Sequence, residues 1–280
     1  MTTHTSLTIF DILMSRLQAF TFAVHCEYDM LLHVQRSMDK HRGKTAEGGT
    51  DAVKLAKAIM KSIDEYCVKE QWMYHVGNTK GLAIGRFLKS ALNLFVENGA
   101  AKERKVRNRS DIFSLVSISN FSHQTKFICV ELGTYCGYSA LVLASTLLQF
   151  VSEHPTTTPF EFKIVTTEVS KNLVNVAQSI FRMAKMESFI TSIIIDKGEI
   201  ISDVMMQNDI SHIDFLLLDH AKDRYLPDLT NLESRGLIKQ GSHVSADNVV
   251  FNRLDSYRQH MMVLKEQGVV ESRLEEMNLE

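Results

Sequence analysis

An apolar strand that runs into a glycine turn and then into a helix is the feature that most constrains this fold. The segment covers 127–144 and reads Phe-Ile-Cys-Val-Glu-Leu, then Gly-Thr-Tyr-Cys-Gly, then Tyr-Ser-Ala-Leu-Val-Leu-Ala. Because glycine has no side chain, such a turn lets backbone N–H groups at a helix N-terminus approach a ligand closely. The segment therefore predicts a strand–helix unit with a binding site at the end of its strand.

The same alternation of apolar strands and helices continues through the second half of the chain. The predicted strands are 126–132, 163–168, 190–196, 213–219 and 242–246. The helices predicted between them are 138–150, 170–185, 199–207 and 228–236. This order is typical of an α/β protein with a doubly wound, mainly parallel sheet and helices on both faces. In such sheets ligands bind at the carboxyl ends of the strands.

The first half of the chain is predicted to be helical and to contain a domain boundary. Apolar residues recur at helical spacing over 8–40, and 41–50 is a polar, glycine-containing loop. Residues 1–50 are therefore predicted to form a helical N-terminal extension. The main domain is predicted to cover 51–280.

Two further helices and a charged insertion are predicted at the start of the main domain. One helix is expected at Asp51–Cys67, with Thr50 or Asp51 as its N-cap. A loop is expected at 72–81 and a third helix at Leu82–Phe95. Residues 97–123 carry five basic side chains and are predicted to be a charged linker.

Length, charge and cysteine content exclude several classes of protein. A chain of 280 residues is long enough for one large α/β domain. The net charge of −2 argues against a nucleic-acid-binding protein, because phosphate neutralisation needs a basic excess. The four cysteines show no CxxC spacing, so zinc is not expected and a cytoplasmic location is the default. A transit peptide in the first residues stays open as an alternative.

No membrane span is predicted in the apolar N-terminal stretch. Four charged residues interrupt positions 7–32, namely Asp11, Arg16, Glu27 and Asp29. Charges at this density are costly in a bilayer. The stretch is therefore predicted to be a helix of the extension.

Three segments of the chain resemble catechol O-methyltransferases. They are 130–139, then 219–228 (Asp-His-Ala-Lys-Asp-Arg-Tyr-Leu-Pro-Asp), and 246–248 (Ala-Asp-Asn). The resemblance runs from about Asp64 to Glu280. It implies a Rossmann-like methyltransferase fold that uses S-adenosylmethionine and Mg²⁺, and a small aromatic diol as substrate.

The resemblance implies a cofactor site around the glycine turn. The residues that correspond to the family's cofactor-binding residues are Tyr74, Val76, Glu131, Gly133, Tyr135, Ser139, Glu168, Asp219 and His220. The turn would hold the methionine part of S-adenosylmethionine, and His220 would lie beside the adenine ring. The acidic Glu168 at a strand end can accept both ribose hydroxyl hydrogens. Tyr74 stands where relatives usually carry a methionine.

Asp219, Asp247 and Asn248 are predicted to bind a metal ion. They supply oxygen donors at the ends of two neighbouring predicted strands. Magnesium takes about six hard oxygen ligands and rarely takes all of them from protein. Three protein oxygens leave room for water and for the two adjacent oxygens of a catechol.

The resemblance implies that Lys222 is the general base of a direct methyl displacement. It follows Asp219 by three residues and can face the same cleft. A lysine next to the metal can accept the hydroxyl proton if its own pKa is depressed by the cation. The resemblance also implies that Trp72, Asn248 and Glu280 contact the substrate together with Lys222, and that Glu280 takes part in catalysis.

The chain departs from the family pattern at several places. Ala221 replaces a tryptophan, and Asn252 replaces a proline that helps to wall the substrate slot. The family's final strand would follow Glu280 and is expected to be missing, so a predicted strand at 269–278 would have no internal partner.

Two alternative functions follow from these departures. The first is a non-catalytic partner-binding protein that retains the fold, although the intact Lys222 and metal-ligand set argues against it. The second is a divalent-dependent methyltransferase that acts on phenylpropanoid thioesters. The sequence leaves the oligomeric state open.

Overall fold

A five-stranded parallel sheet forms the centre of the protein, with strand order β3-β2-β1-β4-β5. The strands are β1 Phe127–Leu132, β2 Phe162–Glu168, β3 Ile190–Ile194, β4 Phe215–Leu218 and β5 His243–Ala246. The computed structural model describes residues 26–40, 51–109, 126–154, 161–196, 198–250 and 252–275. The predicted doubly wound parallel sheet is confirmed, and each strand lies within two residues of its predicted bounds.

Helices cover both faces of this sheet. The helices are α1 (26–40), α2 Ala52–Lys69, α3 Gly77–Arg109, α4 Tyr138–Glu153, α5 Lys171–Met183, α6 Ile201–Gln207, α7 Tyr225–Ser234 and α8 Asp255–Glu266. A 3-10 turn at Lys222–Arg224 precedes α7. None of the helices in the described ranges is long and apolar enough to cross a membrane.

The alternation of side chains along β1 divides the core into two layers. Phe127 and Cys129 pack with residues of α1 to α5 on one face. Ile128, Val130 and Leu132 pack with residues of α6, α7 and α8 on the other face. Because successive side chains of a strand point to opposite faces, β1 is buried on both sides at every position. The central strand β1 is therefore held between helices on both faces of the sheet.

The order of the strands reverses next to β1. The chain moves outward from β1 to β2 and β3, and then returns to place β4 on the other side of β1. Leu132 at the end of β1 is in register with Thr167 of β2 and Leu218 of β4. The crevice outside these strand ends is the usual ligand site of a doubly wound sheet.

Helix α3 is longer than predicted at both ends. It begins at Gly77, within the predicted loop 72–81, and continues to Arg109. The first part of the predicted linker at 97–123 is therefore helical, and 110–123 lie outside the described residues. The charged stretch was compatible with a helix because Ala, Lys, Glu and Arg have high helix propensity and no proline interrupts it. The predicted N-cap of α2 is confirmed, because Asp51 Oδ1 accepts the Val53 N–H at 2.9 Å.

The predicted strand at 269–278 is not formed over its described residues, 269–275. A strand needs a neighbour that completes its hydrogen bonds, and no strand of the described chain pairs with this segment. Glu275 is instead tied to α3 by an ion pair with Arg86 at 2.9 Å. Within the described residues, β5 is an edge strand.

Replacement of Gly137 by alanine tests how tightly α4 is seated on the core. Gly137 has φ +84°, and a Cβ there would lie 2.6 Å from the ring of Phe181. We expect Gly137→Ala to lower the free energy of unfolding by about 2–4 kcal/mol, from backbone strain together with overpacking. Urea denaturation followed by circular dichroism measures this change.

Gly241→Ala is the matched control. Its φ is +93°, and no atom lies within 4 Å of the added Cβ. We expect a loss of about 1 kcal/mol from backbone strain alone. Equal losses at the two positions would show that the contact with Phe181 has no energetic consequence.

Candidate active site

The glycine turn after β1 lies directly against the end of β4. Gly133 has φ +101°, and a Cβ there would lie 2.5 Å from the carbonyl oxygen of Asp219. The N–H groups of Gly133 and Thr134 donate to the Thr167 carbonyl at 3.0 and 2.9 Å. Glycine alone satisfies both the conformation and the close contact. The ends of β1, β2 and β4 therefore meet at one place.

A cavity lies at this meeting point and is bounded by the loop before α3. It is lined by Tyr74, His75, Val76, Gly133, Thr134, Tyr135, Cys136, Tyr138, Ser139 and Asp219. The structure thus brings the predicted Tyr74 and Val76 to the same cavity as the predicted residues of the glycine turn. These residues come from three separate parts of the chain, and the close approach of β1 and β4 places them together.

Hydrogen bonds from both the backbone N–H and the side-chain hydroxyl hold Tyr135 in the turn. Its φ is +47°, which is uncommon for a residue with a bulky side chain. Its N–H donates to Glu168 Oε2 at 3.0 Å, and its hydroxyl donates to Glu27 Oε1 of α1 at 2.8 Å. These two bonds hold a conformation that costs free energy, as is common at functional sites.

Glu168 at the end of β2 binds three backbone N–H groups. Oε2 accepts from Tyr135, and Oε1 accepts from Val169 at 2.9 Å and Ser170 at 3.0 Å. A carboxylate offers about four acceptor positions. Glu168 therefore holds the turn and the start of α5, and it retains capacity for about one further donor.

Glu131 is a fully buried carboxyl with one oxygen unbonded within the described residues. Its Oε2 accepts from the Thr166 hydroxyl, whereas its Oε1 has no hydrogen-bond partner there. Burial raises the pKa of Glu131 to about 8, although the hydroxyl groups of Ser139 and Thr166 act in the opposite direction. A buried unbonded carboxyl oxygen beside the cavity-lining Ser139 is suited to a cationic ligand group.

His75 forms a charged cluster with Asp64 at the cavity wall. His75 Nε2 lies 2.9 Å from Asp64 Oδ1, and the Tyr138 hydroxyl donates to Asp64 Oδ2 at 3.0 Å. Burial lowers the pKa of His75, but the bonds to Asp64, Cys67 and the Met73 carbonyl raise it more, to about 9. His75 is therefore an imidazolium at neutral pH and places a positive charge beside the cavity.

Two exposed aromatic residues, Trp72 and Tyr74, lie in the loop before α3. The side chains of Trp72 and Tyr74 are 63% and 78% exposed, and their rings meet edge to face with centroids 4.7 Å apart. Val76, two residues later, is buried. The loop thus presents an exposed aromatic pair outside and a buried aliphatic side chain inside.

Asp219, Lys222 and Tyr225 form a second cluster just beyond β4. Lys222 Nζ donates to Asp219 Oδ1 at 2.8 Å and to the Tyr225 hydroxyl at 2.6 Å. The Tyr225 side chain is fully buried, and its hydroxyl donates to the Asp247 carbonyl at 3.2 Å. Tyr225 therefore connects the predicted base to the end of β5.

Asp247 and Asn248 follow β5 and bind Lys80 of α3. Lys80 Nζ donates to Asp247 Oδ2 at 2.9 Å and to Asn248 Oδ1 at 2.7 Å. Asn248 has φ +59°, a left-handed conformation that asparagine tolerates better than most residues. This turn directs the two side-chain oxygens toward the same ammonium group.

The donor set of Asp219, Asp247 and Asn248 is chemically suited to a hard divalent cation. Asp219 and Asp247 are close enough to interact. Burial raises the pKa of Asp219, Lys222 lowers it and Asp247 raises it, with a net value of about 6. The described residues contain no group of three or more His, Cys, Asp or Glu side chains that could hold a metal ion. A metal site here would depend on the amide oxygen of Asn248 and on non-protein ligands.

His220 lies on the α7 side of the crevice. Its Nε2 is 2.9 Å from Asp228 Oδ2, and its ring stacks on Tyr225 at 5.1 Å. Its Nδ1 is buried without a hydrogen-bond partner in the described chain. Glu280, the predicted second catalytic residue, lies outside the described residues.

The two departures from the family pattern have different consequences. Ala221 is exposed at the start of the 3-10 turn, so its small side chain leaves the approach to Lys222 open. Asn252 donates its backbone N–H to the Asn248 carbonyl at 3.0 Å. Proline has no N–H to donate. Asn252 therefore fixes the turn that carries Asn248 in a way that proline could not.

The sequence alone did not single out Lys80, His75 or Tyr225. Lys80 and His75 lie near Trp72 and Val76, and Tyr225 is part of the segment 219–228. Their places in or near the segments that carry the resemblance are the signal that could have identified them. Their partners, however, are brought to them by tertiary contacts that no local pattern reveals.

The charged His75–Asp64 pair predicts a specific dependence of stability on pH. The folded pKa of His75 is about 9, above its ordinary value of 6.5. The pair therefore stabilises the fold fully below about pH 6.5, and this contribution is lost as the pH rises through about 9. We expect His75→Gln to be less stable than the wild type at pH 6, with the difference shrinking toward pH 10.

Urea denaturation of both proteins at pH 6, 7, 8, 9 and 10 measures this difference. Asp64→Asn serves as the matched variant and should lose the same pH-dependent contribution. A stability difference that stays constant from pH 6 to 10 would contradict the charged pair.

Comparison with known proteins identifies the family of this chain. The family model described as O-methyltransferase matches residues 113–270, which is more than half of the chain. Catechol O-methyltransferase from Bos taurus is 27% identical over 195 residues, which cover 70% of this chain and 56% of that protein. Catechol O-methyltransferase from Sus scrofa is 33% identical over 127 residues, which cover 45% of this chain and 62% of that protein.

Among solved structures, this chain is similar to the O-methyltransferase TomG from Streptomyces achromogenes in complex with SAM. It is 17% identical, the match covers 82% of this chain and 84% of that chain, and the TM-score is 0.46. This chain spans little more than half the length of the bovine relative. The family match, supported by the catechol O-methyltransferase relatives, shows that the chain belongs to the O-methyltransferase family and is similar to catechol O-methyltransferases.

Proposed function

We propose that this protein transfers a methyl group from S-adenosylmethionine to one hydroxyl of a catechol-like substrate, with Mg²⁺ as cofactor and Lys222 as general base. The observation that carries the proposal is the contact between Gly133 and Asp219. It places the cavity of the glycine turn next to the Asp219–Lys222 cluster. A methyl donor and an acceptor bound at these two places would be neighbours.

Glu131, Glu168 and His220 are the proposed cofactor-binding residues around the turn. S-adenosylmethionine, when bound, supplies an electrophilic methyl group and a cationic amino-acid end. The buried, unbonded Oε1 of Glu131 is proposed to bind the amino group. Glu168 is proposed to use its remaining acceptor position for the ribose, and His220 to contact the adenine ring. Together these contacts would orient the donor before the reaction.

Asp219, Asp247 and Asn248 are the proposed metal ligands. Mg²⁺, when bound there, would lower the pKa of an acceptor hydroxyl and help to orient the two hydroxyls of a diol. Asp219 and Asp247 would supply the negative charge, and the left-handed turn at Asn248 would direct its amide oxygen to the same place.

Lys222 is the proposed general base. Its Nζ is held at 2.8 Å from Asp219 and 2.6 Å from the Tyr225 hydroxyl, so its position is fixed beside the proposed metal ligands. In its neutral form, Nζ would accept the proton of the acceptor hydroxyl while the oxygen bonds to the methyl carbon. The bond between that carbon and the sulfonium sulfur would break at the same time, and S-adenosylhomocysteine would leave. Tyr225 is proposed to position Lys222 for this transfer.

The exposed Trp72–Tyr74 pair favours a planar aromatic acceptor. Its edge-to-face rings stand beside the cavity and offer apolar contact area to an aromatic ring. The open approach at Ala221 is compatible with an acceptor larger than a simple catechol. A phenylpropanoid thioester is therefore the second acceptor class to test.

Substitution of Glu131 tests the cofactor site directly. Because its pKa is about 8, Glu131 is mostly protonated at pH 7 and would ionise when a cationic ligand binds. We expect Glu131→Gln to weaken S-adenosylmethionine binding by about 10- to 100-fold, the value of a charge-assisted hydrogen bond. We also expect wild-type binding at pH 7 to release protons, and binding to Glu131→Gln to release fewer.

Calorimetry in two buffers of different ionisation enthalpy measures both quantities. Glu187→Gln, on the loop after α5, is the control and should bind as the wild type does. Equal affinity and equal proton release for wild type and Glu131→Gln would contradict the assigned role.

Substitution of Lys222 tests the proposed chemistry. Lys222→Met keeps the aliphatic stem and removes the ammonium group. We expect a fall in kcat of about 10²- to 10⁴-fold, the usual contribution of a general base, with unchanged cofactor affinity. Lys239→Met, at an exposed position before β5, is the control.

Transfer of labelled methyl from S-adenosylmethionine to catechol and to a caffeoyl thioester, with and without EDTA, measures the activity. Loss of transfer in EDTA supports the metal requirement. Lys222→Met with a kcat within threefold of the wild type would rule out Lys222 as the base.

A further inference from the structure

Lys80 of α3 is hydrogen-bonded to two of the three proposed metal ligands, Asp247 and Asn248. Lys80 Nζ donates to Asp247 Oδ2 at 2.9 Å and to Asn248 Oδ1 at 2.7 Å. These oxygens are separated from Lys80 by more than 160 residues of sequence. The contact is therefore a tertiary feature of the fold that joins α3 to the end of β5.

The contact is largely shielded from solvent. The side chains of Lys80 and Asp247 are 16% and 13% exposed. An ion pair of this kind is screened less by water and salt than a surface pair. Removal of one partner would leave the other charge poorly compensated.

Local backbone structure supports this arrangement at both ends. Gly77 begins α3 with φ +73°, which places Lys80 in the first turn of the helix. On the other side, Asn248 adopts its left-handed conformation, and the Asn252 N–H fixes its carbonyl at 3.0 Å. The ammonium group thus lies between two fixed segments, and the fold provides an internal cation for these oxygens.

A divalent ion and the Lys80 ammonium could not bind these oxygens together. Mg²⁺ lies about 2.1 Å from its oxygen ligands. An ion at that distance from Asp247 and Asn248 would lie close to a group already bonded to both, with charges of the same sign. The repulsion would be strong in a partly buried site, because the effective dielectric constant there is low.

We propose that Lys80 is an internal competitor for the metal site, and that a divalent ion binds Asp247 and Asn248 only when Lys80 Nζ is displaced. The inference rests on the proposed metal site and adds a residue that sets its affinity. Lys80 would keep Asp247 paired in the absence of metal. The same pairing would weaken metal binding, because the ion must break two charge-assisted hydrogen bonds.

Mn²⁺ binding is the first test, because its bound and free forms are distinguished by electron paramagnetic resonance. The chelator-treated full chain and its Lys80→Met variant are titrated with Mn²⁺ in the absence of S-adenosylmethionine and acceptor. We expect Lys80→Met to bind Mn²⁺ at least tenfold more tightly than the wild type. Equal or weaker binding by a folded Lys80→Met protein would overturn the proposal.

Two further variants separate charge from packing. Lys89→Met removes a lysine of the same helix that pairs with Glu153 at the surface, and it should bind Mn²⁺ as the wild type does. Lys80→Arg keeps the positive charge and should bind no more tightly than the wild type. Tight binding by Lys80→Arg would overturn the proposal, and this variant does not leave the carboxylates unpaired.

Thermal unfolding supplies an independent readout. The proposal predicts that chelator-treated Lys80→Met melts below the wild type, and that Mn²⁺ raises the Tm of the variant more than that of the wild type. Equal shifts in Tm would contradict competition.

Mn²⁺ binding and methyl transfer in EDTA together distinguish failure of the Lys80 competition from failure of the proposed transferase function. If neither the wild type nor Lys80→Met binds Mn²⁺, the competition proposal and the metal requirement both fail. Methyl transfer that persists in EDTA would then show that the transferase function stands without them. Mn²⁺ binding with no difference between the two proteins would overturn the competition alone.

Discussion

The contact between Gly133 and the Asp219 backbone is the constraint on which the rest of the site depends. A Cβ at Gly133 would lie 2.5 Å from the Asp219 carbonyl oxygen, so any larger residue would push β1 and β4 apart at their carboxyl ends. This approach brings the cavity of the glycine turn beside the Asp219–Lys222 cluster. The register of β1 with β2 adds Glu168, which holds the Tyr135 N–H. One glycine thus sets the distance between the two halves of the proposed reaction site.

Much of this arrangement could be predicted because it depends on local patterns. Largely apolar segments predict the central strands, and β1 is buried at every position. Alternation with helices predicts a parallel sheet, and in a parallel sheet the carboxyl ends of all strands share one edge. That rule places Glu131, Glu168, Asp219 and Asp247 at the same edge, whereas their order along the edge comes from the strand order. Their proposed roles came from the resemblance and are not consequences of the topology.

The remaining features depend on contacts between distant parts of the chain. Lys80 was predicted to lie in a loop, and its bonds to β5 could not be inferred from a helix pattern. His75 lies in the loop before α3 and pairs with Asp64 of α2, a contact that neither segment shows by itself. The charged stretch after Phe95 was interpreted as a linker because charge was given more weight than helix propensity. The segment 269–275 contains apolar and β-branched residues, but strand formation requires a paired neighbour, and no strand of the described sheet pairs with it.

The balance of charge beside Asp219 explains how the proposed site could favour an ionised acceptor. Asp219 pairs with Lys222, and Asp247 pairs with Lys80, so each carboxylate faces an amino group of the protein. Exchange of the Lys80 ammonium for a divalent ion would add one positive charge to the cluster. A partly buried site with an excess positive charge stabilises a negative oxygen more than a neutral hydroxyl. Displacement of Lys80 would therefore change the site from one that is internally paired to one that attracts the reacting form of its substrate.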